Sequence, residues 1–139
     1  MYLLDTNVVS EMRKSRTRHS NPAVQRWIDS VAAQALYVSA ISVLEMELGV
    51  LQLLRKDLAQ GEVLRHWLHR QVLPSFDDRI LPIDSEIAQR CAALHVPVSQ
   101  PHYDALIAAT ALVHRLTVVT RNTADFAPTG VPTLNPWEV

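Results

Sequence analysis

Cysteine is nearly missing from this chain: Cys91 is the only one. An internal disulfide is therefore excluded, and the composition fits a reducing compartment. Glycine is also scarce, with three in 139 residues, and no linker, repeat or low-complexity segment interrupts the chain. No apolar run approaches the roughly 18 residues of a membrane span. The first apolar residues lack a charged leader and are too few for a secretory signal, so a cytoplasmic protein with no membrane partner is expected. Charge of neither sign dominates: 13 Lys and Arg face 14 Asp and Glu, for a net charge of -1. Any nucleic-acid contact must come from a local patch. What the chain does have is apolar residues, 48% of the total. That is enough for a single domain over residues 1–139 with a sizeable core.

The chain opens MYLLDTN. Tyr2, Leu3 and Leu4 suit a buried strand, while Asp5, Thr6 and Asn7 favour turns and helix N-caps. Val8 and Val9 then begin a short helix expected to reach about Lys14. Asp5 would stand at the carboxyl end of a first strand, where open α/β sheets hold their ligands. The alternative is that Asp5 only caps the helix. The polar run that follows contains Arg13, Lys14, Arg16, Arg18 and His19. It is either a solvated loop or a basic arm for RNA or an acidic partner. Asn21-Pro22 opens a helix with Val24, Trp27, Ile28 and Val31 at helical spacing. Leu36 to Ala40 is expected as the second strand. The next helix offers Ile41, Leu44, Leu48 and Leu51 as its apolar face. Glu45 lies in its first turns, and Ser42-x-x-Glu45 matches a capping box, which would give Glu45 a purely structural task. Glu47 is expected at the surface. Gly49 inside this helix costs about 1 kcal/mol relative to Ala, which suggests close packing there.

Lys56 to Val72 reads as one further helix, with Leu64, Trp67, Leu68 and Val72 apolar. His66 and His69 lie three apart on it, but no third ligand follows at metal-like spacing, so zinc is not expected. Pro74, Asp77 and Asp78 mark a loop. Arg79 to Asp84 is expected as a short strand ending in a helix cap at Asp84 or Ser85, after which Ile87, Cys91 and Leu94 face inward. Ser99 and Pro101 suggest the start of another helix. From Ala105 to Val113 that helix has no charge, and a helix apolar all round is buried. Asp104 stands at its mouth. The helix dipole favours an acid there, yet a carboxylate drawn into a buried site needs a partner or a metal. Leu116 to Thr120 is apolar on both faces, as in a covered parallel sheet, and runs into Asn122 and Asp125. Val131 to Leu134 is expected as a last edge strand.

Asp5, Glu45, Asp104 and Asp125 are thus expected at one edge of a parallel sheet, because right-handed crossovers return to the same side. Four carboxylates in one cleft cannot all stay ionised without a cation. Hard oxygen ligands without His or Cys select Mg²⁺, with Mn²⁺ as its substitute, over zinc. Such a site suits phosphodiester hydrolysis. Thr6, Asn7, Thr120 and Asn122 are the neutral residues placed to hydrogen-bond a carboxylate or a substrate phosphate.

LLDTNVVSE, SAISVLEMELGV, YDALIAATALVHRLTVVTRNTADF and the closing VPTLNPW resemble the PIN domain of the VapC toxin family, and its FitB-like branch in particular. The resemblance runs in order over nearly the whole chain. It implies a three-layer α/β/α sandwich with a central parallel sheet of about five strands. It also implies a Mg²⁺-dependent endoribonuclease, the toxin of a type II toxin–antitoxin pair. Asp5 and Asp104 match the main metal ligands, Glu45 the acid of the second motif, and Asp125 that of the fourth. Implied partners are an RNA substrate, a second copy in a homodimer, and a VapB-like antitoxin giving a heterotetramer or larger assembly. Operator DNA would be reached through the antitoxin. The alternative within this branch is a regulatory module that joins DNA-bound autorepression with little nuclease activity.

Overall fold

The computed structural model describes residues 1–14 and 20–139. Arg16, Arg18 and His19 of the basic run lie outside the described residues. Five strands form one parallel sheet: β1 (Tyr2–Leu4), β2 (Leu36–Ser39), β3 (Ile80–Leu81), β4 (Thr117–Val119) and β5 (Thr133–Leu134), in the order β3-β2-β1-β4-β5. The chain lays down β1, β2 and β3 toward one edge, then returns to place β4 on the other side of β1. The order therefore reverses between β1 and β4, and the carboxyl ends of these two strands flank the crevice where such sheets bind ligands.

Successive strand residues point to opposite faces, and the two cores follow that rule. Leu4, Val38 and Val119 pack with Val8, Val9, Trp27, Met46 and Val50 under helices α1 (Thr6–Met12), α2 (Pro22–Asp29) and α3 (Ala40–Lys56). Leu3 and Val118 pack on the other face with Ile107, Ala108 and Ala111 of α7 (His102–His114) and with Phe126 of α8 (Thr123–Phe126). Adjoining the second core, Ile87 and Cys91 of α6 (Ser85–Leu94) pack against Ala105 and Ala109 of α7. The small residues of α7 let it lie close to both the sheet and α6. This is the expected three-layer arrangement. Among the described residues no helix is long and apolar enough to cross a membrane.

Several local expectations fail, each for a physical reason. Of the expected apolar face of α3 only Ile41 is buried; Leu44, Leu48 and Leu51 are exposed, and Ser42, Met46 and Val50 join Ile41 as the buried set. The helix is rotated so that Ser42 and Glu45 face Thr6. Its cap is Ser39, whose hydroxyl accepts from the Ile41 N–H, so Ser42 and Glu45 form no capping box. Gly49 has open space where a Cβ would sit. The close approach is instead at Gly61, where a Cβ would meet the Leu54 backbone at 2.7 Å.

The expected helix from Lys56 to Val72 is divided. Lys56 ends α3, and Asp57 caps α4 (Leu58–Trp67) by accepting from the Gln60 N–H. A π-helical turn then covers Leu68–Val72, and α5 (Leu73–Ser75) closes the segment. Ser99 does not cap α7, whose N-cap is Pro101 without a side-chain hydrogen bond. The α6 cap is Asp84, as expected. Val8 and Val9 of α1 are buried in the core.

Candidate active site

Asp5 ends β1 at the point where the strand order reverses. It caps α1, with Oδ1 accepting from the Thr6 N–H at 2.8 Å, so the structural task foreseen for it is real. Its other oxygen does something a cap does not require. Oδ2 accepts from the Thr120 hydroxyl at the end of β4, at 2.8 Å, and from Asn7 Nδ2 at 3.3 Å. The Thr120 oxygen in turn accepts from the Asn122 N–H at 3.0 Å and from Asn7 Nδ2 at 3.4 Å. One hydroxyl proton thus goes to Asp5 while the lone pairs are filled by amide donors, which fixes the Thr120 rotor. Asn7 Oδ1 accepts from the Arg121 N–H at 3.3 Å, tying the two strand ends together.

Glu45 reaches the site from α3. The Thr6 hydroxyl donates to Glu45 Oε1 at 3.0 Å and lies 3.1 Å from Ser42 Oγ. Asp104 enters from the first turn of α7, and Asp125 from α8. Burial pushes the Asp5 carboxyl up; hydrogen bonds from Thr120 and Thr6 pull against this, and the Asp125 charge adds to it. Burial also raises Glu45, opposed by the Thr6 hydrogen bond and reinforced by the charges of Asp5 and Asp104. Asp104 is raised by burial and then by Asp5 and Asp125. Each of these three therefore holds a proton more tightly than a free carboxyl, and the charges acting on it are other acids.

Among the described residues no three His, Cys, Asp or Glu side chains converge closely enough to form a ready-made metal-binding group. The acids are instead linked by their fields around an open crevice. The donor set suits a divalent cation of the Mg²⁺ type, which takes one or two protein carboxylates, keeps several waters, and prefers hard oxygen. A cation placed among them would offset the mutual repulsion that helps raise these carboxyls.

The neutral residues expected here divide. Thr6, Asn7 and Thr120 bond the acids through their side chains, whereas Asn122 contributes its backbone N–H and its side chain makes no cap bond. Ser42, fully buried beside Thr6, was not foreseen as part of this group. Its signal was hidden by the capping-box pattern. Of the basic run, Arg13 lies over the Trp67 ring at 5.9 Å and Lys14 pairs with Glu11 at 3.4 Å. His69 meets Glu47 at 2.8 Å on the surface, away from the acids. A groove of about 650 Å³ beside the β3 edge, lined by Ala40, Val43, Leu73, Pro74 and Ile80 among others, contains none of the four acids.

A profile of the PIN domain matches residues 2–130. The chain is 40% identical over 143 residues to the protein named Toxin FitB from Neisseria gonorrhoeae, with 99% of each covered. It is 34% identical over 143 residues to the VapC ribonuclease Y4jK of Sinorhizobium fredii, again with 99% of each covered. Among solved structures, that of FitAcB from Neisseria gonorrhoeae superposes with a TM-score of 0.89 at 39% identity, over 100% of both chains. The structure of FitAB bound to an IR36 DNA fragment gives 0.87 at 38% identity, over 100% of this chain and 97% of that one.

Proposed function

The chain belongs to the PIN-domain family, and on that premise we propose that it is a cytoplasmic toxin of the VapBC type that cleaves RNA phosphodiesters with Mg²⁺. The observation that carries this reading is the 2.8 Å hydrogen bond from Thr120 to Asp5 across the β1–β4 crevice, in a site where Asp5, Glu45 and Asp104 are all raised by burial and by one another or Asp125. Nothing about an N-cap requires Asp5 to be held from a second strand or three further acids to share its field.

Asp5, Glu45, Asp104 and, on the exposed side, Asp125 would surround the ion, one or two of them bound to it directly and the others through the waters it keeps. Bound there, the ion would polarise a phosphoryl oxygen and acidify a water for in-line attack. The rest of the task belongs to the chain. Thr120 and Asn7 keep Asp5 Oδ2 in one orientation, and Thr6 does the same for Glu45. Such supports raise precision because each carboxylate arrives with its rotamer already fixed. The buried ends of β1 and β4 make one wall of the crevice and limit water on that side.

A cognate antitoxin is the expected partner of a VapBC-type toxin, and the FitAB relative is bound to a DNA fragment. The assembly would be a toxin homodimer joined to antitoxin as a heterotetramer or larger, touching operator DNA through the antitoxin. The DNA-bound relative also supports the second reading, a regulatory module with little nuclease activity.

The test is cleavage of labelled total RNA by antitoxin-free protein with Mg²⁺, with EDTA, and by an Asp104→Asn variant shown to fold. Asp104 is chosen because it caps no helix. Discrete fragments that require Mg²⁺ and vanish in the variant establish the ribonuclease. Equal lanes, with growth arrest retained by the variant, overturn it in favour of the regulatory module.

A further inference from the structure

Arg121 stands between Thr120 and Asn122, two residues of the hydrogen-bond network around Asp5. Its own N–H donates to Asn7 Oδ1 at 3.3 Å, and Asn7 reaches Asp5 Oδ2. Its backbone is therefore fixed at the rim of the acid crevice. The side chain is exposed, with its guanidinium 5.2 Å from the centroid of the Trp137 ring. Among the described residues, Arg121 makes no ion pair with an acid.

Trp137 is held in place for this contact. The tail leaves β5, and Asn135 accepts from the Trp137 N–H at 2.9 Å while its amide donates to the Arg121 carbonyl at 3.4 Å. The indole is half-buried against the core that contains Leu4 and Val119. A guanidinium stacked on an aromatic face keeps its charge, and its edge N–H groups remain free to meet a phosphate. Four other described cations are engaged elsewhere. Arg13 lies over Trp67, Lys14 pairs with Glu11, Arg65 pairs with Glu62, and Arg79 is buried, donating to the carbonyls of Leu36 and Ser75.

A crevice of carboxylates repels a polyanion outside the scissile phosphate, so a strand that enters it needs a cation at the rim. We infer that Arg121, oriented by the Trp137 ring, binds a backbone phosphate of the RNA next to the one being cleaved. This rests on the ribonuclease reading for its ligand. The bland rival is that Arg121 and Trp137 only staple the tail to the sheet.

The experiment keeps the two readings apart. Binding of a fluorescein-labelled single-stranded RNA is measured by anisotropy over a range of salt, in an Asp104→Asn parent that cannot turn substrate over. Arg121→Ala, Arg121→Lys and Trp137→Leu are added singly. The expected result for Arg121→Ala is binding weakened by about tenfold, with the slope of log affinity against log salt reduced by about 0.7, the contribution of one phosphate on a single strand. Arg121→Lys keeps the slope and recovers part of the affinity. Trp137→Leu keeps the slope and loses affinity through orientation alone. With Asp104 restored, Arg121→Ala raises KM more than it lowers kcat. A staple would lower the melting temperature and leave the salt slope unchanged. That pattern, or absence of measurable RNA binding by the parent, overturns the assignment. Cleavage by the wild-type protein separately decides the ribonuclease reading, which stands if it cuts RNA even when Arg121 proves to be a staple.

Discussion

The Thr6 hydroxyl donates to Glu45 across 3.0 Å, joining the turn after β1 to the second turn of α3. The residue after Asp5 thus positions an acid 39 places further on. This bond is among the influences that lower the Glu45 carboxyl, against burial and the charges of Asp5 and Asp104. Thr6→Val keeps the shape and removes the donor. RNA cleavage is expected to fall by about 10–100-fold, the usual effect of losing a group that orients a metal ligand. Glu45 would also take up its proton more readily, so the acid limb of the pH–rate profile should move to higher pH. A variant with unchanged rate and profile would show that Thr6 serves only α1.

Asp104→Asn separates stability from activity. The Asp104 carboxyl is raised above its ordinary 3.8 by burial and by Asp5 and Asp125. A carboxyl raised by folding contributes stability that is complete below its unfolded pKa and lost as pH rises through the folded value. At neutral pH without metal, its ionised form therefore works against the fold. The amide removes that charge and relieves Asp5 and Glu45 as well, so the variant should melt above wild type in EDTA while losing RNA cleavage. Differential scanning fluorimetry at pH 7 reads this directly. A lower melting temperature would mean that Asp104 makes a stabilising contact outside this account.

The positions of Asp5 and Thr120 were legible in the sequence because each directly follows a strand. Runs such as Tyr2–Leu4 and Thr117–Val119 are too apolar to be anything but covered strands, and the acid or threonine that follows each must sit at the sheet's edge. The rotation of α3 was not legible. Leu44, Leu48 and Leu51 compete with Met46 and Val50 for the core, and periodicity alone cannot choose between two apolar stripes on one helix. The tertiary demand that Ser42 and Glu45 face Thr6 decides it. The break at Asp57 did have a signal, an acid three residues ahead of Gln60, but it was masked by good helix formers on both sides.

Two glycines provide a test of packing that does not involve the acids. Gly49 lies inside α3 with nothing within 4 Å of an added Cβ. Gly49→Ala should therefore stabilise by about 1 kcal/mol, as Ala does over Gly in a helix interior, and raise the melting temperature by about 2–6 °C. Gly61 is the opposite case. A Cβ there would stand 2.7 Å from the Leu54 Cα, which is backbone and cannot swing away. Gly61→Ala should force α4 off α3 and destabilise by about 1–3 kcal/mol. Equal effects from the two substitutions would contradict the α3–α4 packing.

Metal binding and proton binding compete for the same carboxylates, and the direction of that competition follows from the site. Asp5 and Asp104 start from 3.8 and Glu45 from 4.5, and all three are raised in the folded protein. A cation binds the ionised forms. Its affinity must therefore fall as pH drops through the raised values, while the metal-free protein regains stability over the same range. The rise in melting temperature produced by millimolar Mg²⁺ should be large at pH 8 and should diminish as the protein is acidified through the range where these carboxyls take up protons. At pH 8 it should shrink in Asp104→Asn, because one ligand charge is gone. EDTA should abolish both the rise and RNA cleavage, and Mn²⁺ should restore both. A thermal shift from Mg²⁺ that does not diminish however far the folded protein is acidified, or that survives Asp104→Asn undiminished, would place the ion somewhere other than among these acids.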